Sequence, residues 1–299
     1  MRNNNNRGRW MGILLALCLT LPIAETAIAS TTHMTPQQEA PLLAIDATDA
    51  TLTEDGTYDS YATYHGRATE IPVRTIEGRA FAPMHTFVNA LTPAEYTFDR
   101  SSGYATLQAK NLIITAGLGG TFITANDRPL YGVSANRMID GTLWVPVSVL
   151  AKACGVSVTI GKGSVVLSGS YKALAHAKDF YREDEVYWLS RIISAESKGE
   201  PLRGQMAVGN VVLNRTRHRS YPNTIYGVIF QKWQFTPAMN GSIYATPSWL
   251  STIVAKMCLE GYAVSNEVLF FCNPRTSDSH WAQENRPYAF TIGRHAFYY

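Results

Sequence analysis

The sequence predicts an α+β protein in two parts: a small, duplicated, β-rich module of strand-helix-strand units, then a C-terminal domain led by a helical hairpin. Three observations carry this. A hexapeptide, Gly78-Arg79-Ala80-Phe81-Ala82-Pro83, recurs 63 residues later as Gly141-Thr142-Leu143-Trp144-Val145-Pro146. From Asp184 onward, Leu189, Ile192 and Ile193 fall on one helical stripe, and a Gly-Glu-Pro break separates them from a second apolar helix. The texture between the two parts, from Tyr171 to Tyr181, is polar and short of period.

Taken in order, residues 1–29 read as a secretory signal. Arg2, Arg7 and Arg9 form its positive region, Met11 to Ile23 its apolar run, and Ala27-Ile28-Ala29 its small-x-small cleavage pattern. The run is shorter than the roughly 18 apolar residues of a membrane span. The reading implies export to the cell exterior or its envelope. An uncleaved N-terminal anchor is the other reading of the same run. Removing residues 1–29 takes away three Arg and one Glu from totals of 26 basic and 23 acidic residues, leaving 23 and 22. A near-neutral chain of this kind lacks the basic stripe of a nucleic-acid partner.

Residues 30–66 read as a linker and a leading strand, and 67–169 as the repeat module. Each hexapeptide precedes a short apolar helix, Met84 to Leu91 and Val147 to Cys154. Each helix leads into alternating sequence, Tyr96 to Asp99 with Tyr104 to Gln108, and Val156 to Ile160 with Ser164 to Leu167. Residues 170–183 read as a second linker, and 184–299 as the C-terminal domain. Cys154, Cys258 and Cys272 follow the signal, with no zinc-like spacing, so no metal is assigned. Cys258 and Cys272 leave two readings open, a bridge or two buried thiols.

Glu196 is the residue with the most chemistry. Leu189, Ile192 and Ile193 precede it by seven, four and three positions, so its carboxyl sits on or beside the apolar stripe. Burial raises a carboxyl pKa, and a carboxyl kept protonated near neutrality is what a general acid needs. On spacing alone, a helix-end glutamate satisfied by a neighbouring donor fits equally. Gly199 stops the first helix and Pro201 starts the second. Glu196 is then expected near the corner, facing a groove lined by Ser197 and Gln205. Glu200 reads as a helix-start residue complementing the dipole. Phe235 and Trp281, in loops beside polar residues, are candidates to line that groove, with Gln234 and Asn273 as candidate hydrogen-bonding residues. Trp249 reads as core and His295 as a structural hydrogen-bonding residue.

Several segments together resemble a known family. They are Ala195-Glu196, Gly199-Glu200-Pro201, Gly204-Gln205-Met206-Ala207-Val208, Val211-Val212-Leu213-Asn214-Arg215, Gln234-Phe235-Thr236, Phe271-Cys272-Asn273-Pro274, Trp281 and Ile292-Gly293-Arg294-His295-Ala296-Phe297. This pattern is similar to the catalytic core of the spore-cortex-lytic cell wall hydrolase family (SleB/CwlJ type), over residues 184–299. Cys272, and the stretch with Asp278 and Ser279, depart from the usual pattern. The repeat module resembles the copper amine oxidase N-terminal-like domain, with Thr142 in place of an arginine in its second copy. No copper site follows, since His85 is the only histidine from 67 to 169.

The resemblance implies a lysozyme/lytic-transglycosylase-like catalytic fold. It also implies a secreted enzyme that cleaves the muramic acid–glucosamine bond of peptidoglycan, in spore cortex or cell wall, with Glu196 as general acid/base and no cofactor. Two other readings are an N-acetylmuramoyl-L-alanine amidase and a non-catalytic wall-binding protein. The amidase would use zinc, and His218, His280 and His295 show no helix-face pair. Intact Glu196 and its flanking segments speak against the binding protein.

Overall fold

The computed structural model describes residues 60–161, 164–276 and 281–299. The signal reading, His280 and the Asp278-Ser279 departure lie outside the described residues.

The N-terminal module is built from twelve strands and two helices. Its strands are β1 (Ser60–Tyr64), β2 (Arg67–Ile76), β3 (Arg79–Pro83), β4 (Ala94–Asp99), β5 (Tyr104–Ala109), β6 (Leu112–Gly117), β7 (Phe122–Ala125), β8 (Arg128–Tyr131), β9 (Arg137–Ile139), β10 (Thr142–Pro146), β11 (Ser157–Gly161) and β12 (Ser164–Ser168), with helices α1 (Met84–Asn89) and α2 (Val147–Cys154). One sheet runs β11-β12-β1-β2-β3-β10-β9 and the other β4-β5-β6-β7-β8. Among the described residues of this module only the β1–β12 pair is parallel.

The two hexapeptide copies lie side by side. β3 and β10 pair antiparallel, with Trp144 opposite Pro83 and Pro146 opposite Phe81. Each copy opens on a hairpin turn whose two central residues have positive φ: Glu77 and Gly78 at 51° and 73°, Asp140 and Gly141 at 50° and 73°. Such turns match the right-handed twist of the strands they join, and glycine takes the second position without strain. Each copy then enters a helix directly after its proline, which fits the start of a helix because it has no N–H to leave unpaired. α1 and α2 contact strands of both sheets. Their buried faces (Met84, Phe87, Val88; Val149, Leu150, Ala153) join Ile71, Leu107, Ile114 and Leu130 in one core. The second helix has the bounds its apolar run predicts; the first ends two residues earlier, at Asn89.

α3 (Ala177–Phe180) is a single turn in the linker. The C-terminal domain follows with α4 (Glu183–Ser197), α5 (Leu202–Arg217), α6 (Ile225–Ile229), α7 (Thr236–Asn240), a 3-10 turn at Ser242–Tyr244, α8 (Trp249–Leu259), β13 (Phe270–Cys272), α9 (Trp281–Asn285), β14 (Tyr288–Ile292) and β15 (His295–Tyr298). Asp184 and Glu185 in the first turn of α4 suit its positive end. α4, α5 and α8 pack on one another. Leu189, Ile192, Ile193, Met206, Val212, Val254 and Met257 are fully or almost fully buried between them. The small sheet β13-β15-β14 covers the other face of α5 through Val208, Val211 and Phe297. Cys154, Cys258 and Cys272 are free thiols. Cys258 is buried, within hydrogen-bond reach of the Met206 carbonyl and the Asn210 amide. The bridge reading is therefore replaced by separate thiols.

The two parts meet on α8. Glu260, its C-terminal cap residue, accepts hydrogen bonds from Arg128 Nε at 2.6 Å and Nη2 at 3.0 Å, Lys152 Nζ at 3.0 Å and Tyr181 Oη at 2.7 Å. Its side chain is 1% exposed. Phe122 packs at Trp249 and Tyr131 at Tyr262 alongside. Trp249 is thus half-buried against the N-terminal module as well as its own domain.

Burial pushes the Glu260 carboxyl up, but its bonds to Arg128, Tyr181 and Lys152 pull it below the usual carboxylate range. A depressed carboxylate contributes stability above its unfolded pKa and loses it as pH falls through the folded one. The Glu260→Gln variant should therefore show a flatter fall of stability with acidification than the parent, read by denaturant titration across the acid range. Glu260→Ala leaves Arg128 buried without its anion and should cost about 3–5 kcal/mol at neutral pH; a change below about 1 kcal/mol by denaturant titration would show the cluster to be incidental.

Candidate active site

Glu196 stands in the last turn of α4, half-buried beside fully buried Ile192 and Ile193. Among the described residues its carboxyl has no ion pair. Burial alone pushes its pKa up to about 7. It is thus poised to exchange a proton near neutrality, the property that a general acid and later a general base share.

Four residues on, Glu200 has the opposite environment. Its side chain is 2% exposed, and its carboxylate receives Arg294 Nε at 2.6 Å and the Arg294 backbone N–H at 2.9 Å. Burial raises its pKa, and these Arg294 bonds, with His295 nearby, bring it below the ordinary value. Glu200 is therefore not chiefly a dipole residue. It ties the α4–α5 corner to the turn between β14 and β15. The approach is close: Gly293 has φ +58°, and a Cβ there would lie 1.9 Å from Glu200 Oε2.

Three of the expected groove residues are placed elsewhere, and the reading of each is corrected. Ser197 is buried, and its Oγ donates to the Ile193 carbonyl at 2.7 Å, satisfying its own helix. Gln205 is fully buried. Its Nε2 donates to the Glu200 carbonyl at 3.0 Å, and its Oε1 accepts from Ser251 Oγ at 2.8 Å. The physical reason is that a chain reversal between two helices leaves carbonyls unpaired, and a buried amide one turn into α5 can cap one while anchoring α8. Phe235 is 3% exposed and belongs to the helical core, where Arg215 and Phe271 face it.

The other expected residues stay at the surface. Gln234 is exposed, its Oε1 accepting from Arg215 Nη1 at 3.0 Å. Asn273 is half-buried and its Oδ1 accepts from the Arg275 N–H at 3.1 Å, closing a side-chain turn. Trp281 is 48% exposed and meets Phe270 edge-on. His295 is buried against Phe271 with its Nδ1 unpartnered, so the expected structural hydrogen bond is absent at that nitrogen among the described residues. His85 in the N-terminal module lies against Tyr96 and the Ala94 carbonyl. Among the described residues no group of three or more His, Cys, Asp or Glu comes together as a metal site would need.

An aromatic group went unread in the sequence. Trp188 on α4 is ringed by Tyr187, Tyr226, Phe230 and Tyr244 at centroid distances of 4.8 to 6.1 Å. Its members come from three separate elements, which no local period signals. A surface hollow of about 430 Å³ lies on the N-terminal module and linker, between Lys110 and Asp179, and no residue of the C-terminal domain lines it.

Comparison with known proteins matches residues 199–298 to the Cell Wall Hydrolase family and residues 65–168 to the Copper amine oxidase N-terminal domain. The spore cortex-lytic enzyme of Bacillus cereus is 36% identical over 117 residues, covering 39% of this chain and 45% of that protein. That of Bacillus subtilis is 33% identical over 117 residues, covering 39% and 38%. The chain thus spans less than half the length of these relatives. Among solved structures, the catalytic domain of the germination-specific lytic transglycosylase SleB from Bacillus anthracis is 35% identical, with a TM-score of 0.38, covering 40% of this chain and 97% of that one.

Two outcomes follow from the paired glutamates. Gly293→Ala forces a Cβ into Glu200 at a left-handed φ, and should lower the melting midpoint by several degrees; an unchanged midpoint in calorimetry would mean the turn has slack. For Glu196 the folded pKa lies above the unfolded one, so its stabilising proton is fully bound below about 4.5 and lost as pH rises to about 7. Glu196→Gln lacks that penalty and should gain up to about 3 kcal/mol over the parent above pH 7, with no gain at pH 4; equal stability of the two proteins at pH 8 would contradict the burial of this carboxyl.

Proposed function

We propose that this chain, which carries a cell wall hydrolase domain behind a copper amine oxidase N-terminal-like domain, cleaves the glycosidic bond between muramic acid and glucosamine in peptidoglycan, as a lytic transglycosylase. The observation that carries the reading is the unpaired Glu196 carboxyl, raised to about 7, next to a second glutamate already committed to Arg294.

The chemistry follows from that asymmetry. A retaining hydrolase needs a second free carboxylate roughly 5 Å from the first, and an inverting one needs it at about 6.5–9.5 Å to activate water. Glu200 is held by Arg294, and Glu260 is buried at the module interface. A transglycosylase needs only one group. Protonated Glu196 gives its proton to the bridging oxygen as the bond to muramic C1 breaks. The resulting carboxylate takes the proton from the muramic C6 hydroxyl as that oxygen bonds to C1. The products are a 1,6-anhydromuramic end and a free glucosamine hydroxyl, with no water consumed.

Spore cortex is the substrate this reading favours, because the curated relatives are spore cortex-lytic enzymes, and it implies a site of action in the spore envelope or wall. Export by the N-terminal signal is part of the same proposal. The duplicated module would then hold the catalytic domain at the wall, Ser197 and Gln205 would shape the corner behind Glu196, and Asn273 and Trp281 would meet the glycan.

Glu196→Gln keeps shape but cannot exchange the proton, so lysis of purified cortex should fall at least a hundredfold. Retention of a tenth of parental activity would remove Glu196 from this role. Lysis by the parent should decline as pH rises through about 7, as the acid form is lost. Digestion in heavy-oxygen water, read by mass spectrometry, should give unlabelled anhydro ends; isotope at the new muramic end would instead establish a hydrolytic muramidase, and released peptides an amidase.

A further inference from the structure

The loop between α6 and α7 spends conformational energy on a residue that the fold does not use. Trp233 has φ +66°, a left-handed backbone that costs a side-chain-bearing residue of this size strain. Most other non-glycine residues at positive φ among those described (His65, Glu77, Asn111, Asn126, Asp127 and Asp140) are turn residues, and Val133 lies just after β8. Trp233 is the one in the C-terminal domain. Yet its indole is 72% exposed and belongs to none of the hydrophobic clusters; Lys232 Nζ lies 5.3 Å from its ring. The backbone strain opposes folding, and the indole, left in water, returns no packing to offset it. Backbone strain that persists without a packing return points to ligand contact.

The next residue supplies the complementary chemistry. Arg215 can only donate, so its bond to Gln234 fixes which end of that amide is the oxygen. The Gln234 Nε2 is thereby left as a donor with no partner among the described residues, on an exposed side chain. Arg215 is itself buried, held by the Leu269 carbonyl at 2.8 Å, so the amide is oriented from beneath. The elements that flank this loop, α6 and α7, and the 3-10 turn after them contact α4, the helix that carries Glu196.

We propose that Trp233 and Gln234 form a sugar subsite of the glycan groove, with the indole stacking on the face of a β-1,4-linked N-acetylhexosamine and Gln234 Nε2 donating to its acetamido carbonyl. An aromatic plane with an oriented amide donor beside it matches one apolar sugar face carrying one carbonyl. The inference rests on the glycan-cleaving reading given above and names two residues that hold the substrate there.

The test uses full-length protein with Glu196→Gln, which binds without turnover, and chitotetraose as the probe, measured by isothermal titration. Adding Trp233→Gly should weaken the dissociation constant about tenfold, the scale of one aromatic contact, while the melting midpoint holds or rises by about 2–4 °C because glycine relieves the strained φ. In the parent background the same change should raise KM for peptidoglycan by a similar factor rather than lower kcat. The fully deacetylated tetramer should bind parent and Gln234→Ala equally weakly. Affinity within twofold of the parent, a lowered midpoint with unchanged affinity, or no chitotetraose binding by the folded Glu196→Gln protein would each overturn the subsite. Failure of the enzymatic reading appears elsewhere, as lysis surviving Glu196→Gln, so the two are told apart.

Discussion

The contact between Glu200 and Arg294 is the constraint on which the C-terminal domain depends. A glutamate with a side chain 2% exposed sits at the corner of two helices, and its charge is met by one arginine through both side chain and backbone. An unpaired charge there would cost several kcal/mol. The surrounding sequence is shaped to let the partners approach. A Cβ at Gly199 would lie 2.8 Å from Arg294 Nη2, and one at Gly204 would lie 3.1 Å from the Glu200 Cβ. Helix corner, strand turn and the small sheet over α5 are thereby one construction. Glu196, one turn before Glu200, inherits its position from it.

A second buried carboxylate does for the whole molecule what Glu200 does for the corner. Glu260 caps α8 and collects Arg128 from β8, Lys152 from α2 and Tyr181 from the linker. Sequence composition alone suggests a spacer joined by a linker. The contacts instead make the N-terminal module part of the support for α8, whose N-terminal half anchors Gln205 through Ser251. A chain cut at 184 would expose the Phe122 and Tyr131 faces of Trp249 and Tyr262 and release Glu260 to water. Removing the N-terminal module would thus also remove the support it gives to α8.

What was legible in the sequence follows a physical rule. Periodicity reports which face of an element is apolar, so the α2 bounds and the place of Glu196 beside Ile192 and Ile193 could be read directly. Periodicity is silent on which side chains meet across elements. Ser197, Gln205 and Phe235 are polar-neighboured or loop-borne, and on that ground read as groove residues. Gln205 and Phe235 meet partners dozens of residues away, Ser251 and Phe271, while Ser197 turns back onto its own helix at Ile193. Trp233 escaped for the reverse reason: its exposure and left-handed backbone are properties of a turn with no period. The closely spaced β6, β7 and β8 were missed because short hairpins carry too few alternations to stand out.

The two glutamates of the corner show how one local fold can separate two like groups. Both lie on the same hairpin and both are largely withdrawn from water. Desolvation acts upward on each. The difference is that Arg294 answers Glu200 and, among the described residues, no cation answers Glu196, so one carboxyl is held as an anion and the other titrates at about 7. Pairs driven apart in this way separate a structural charge from a working acid. An arginine close enough to steady Glu196 as Arg294 steadies Glu200 would pull its pKa down and leave it unprotonated near neutral pH.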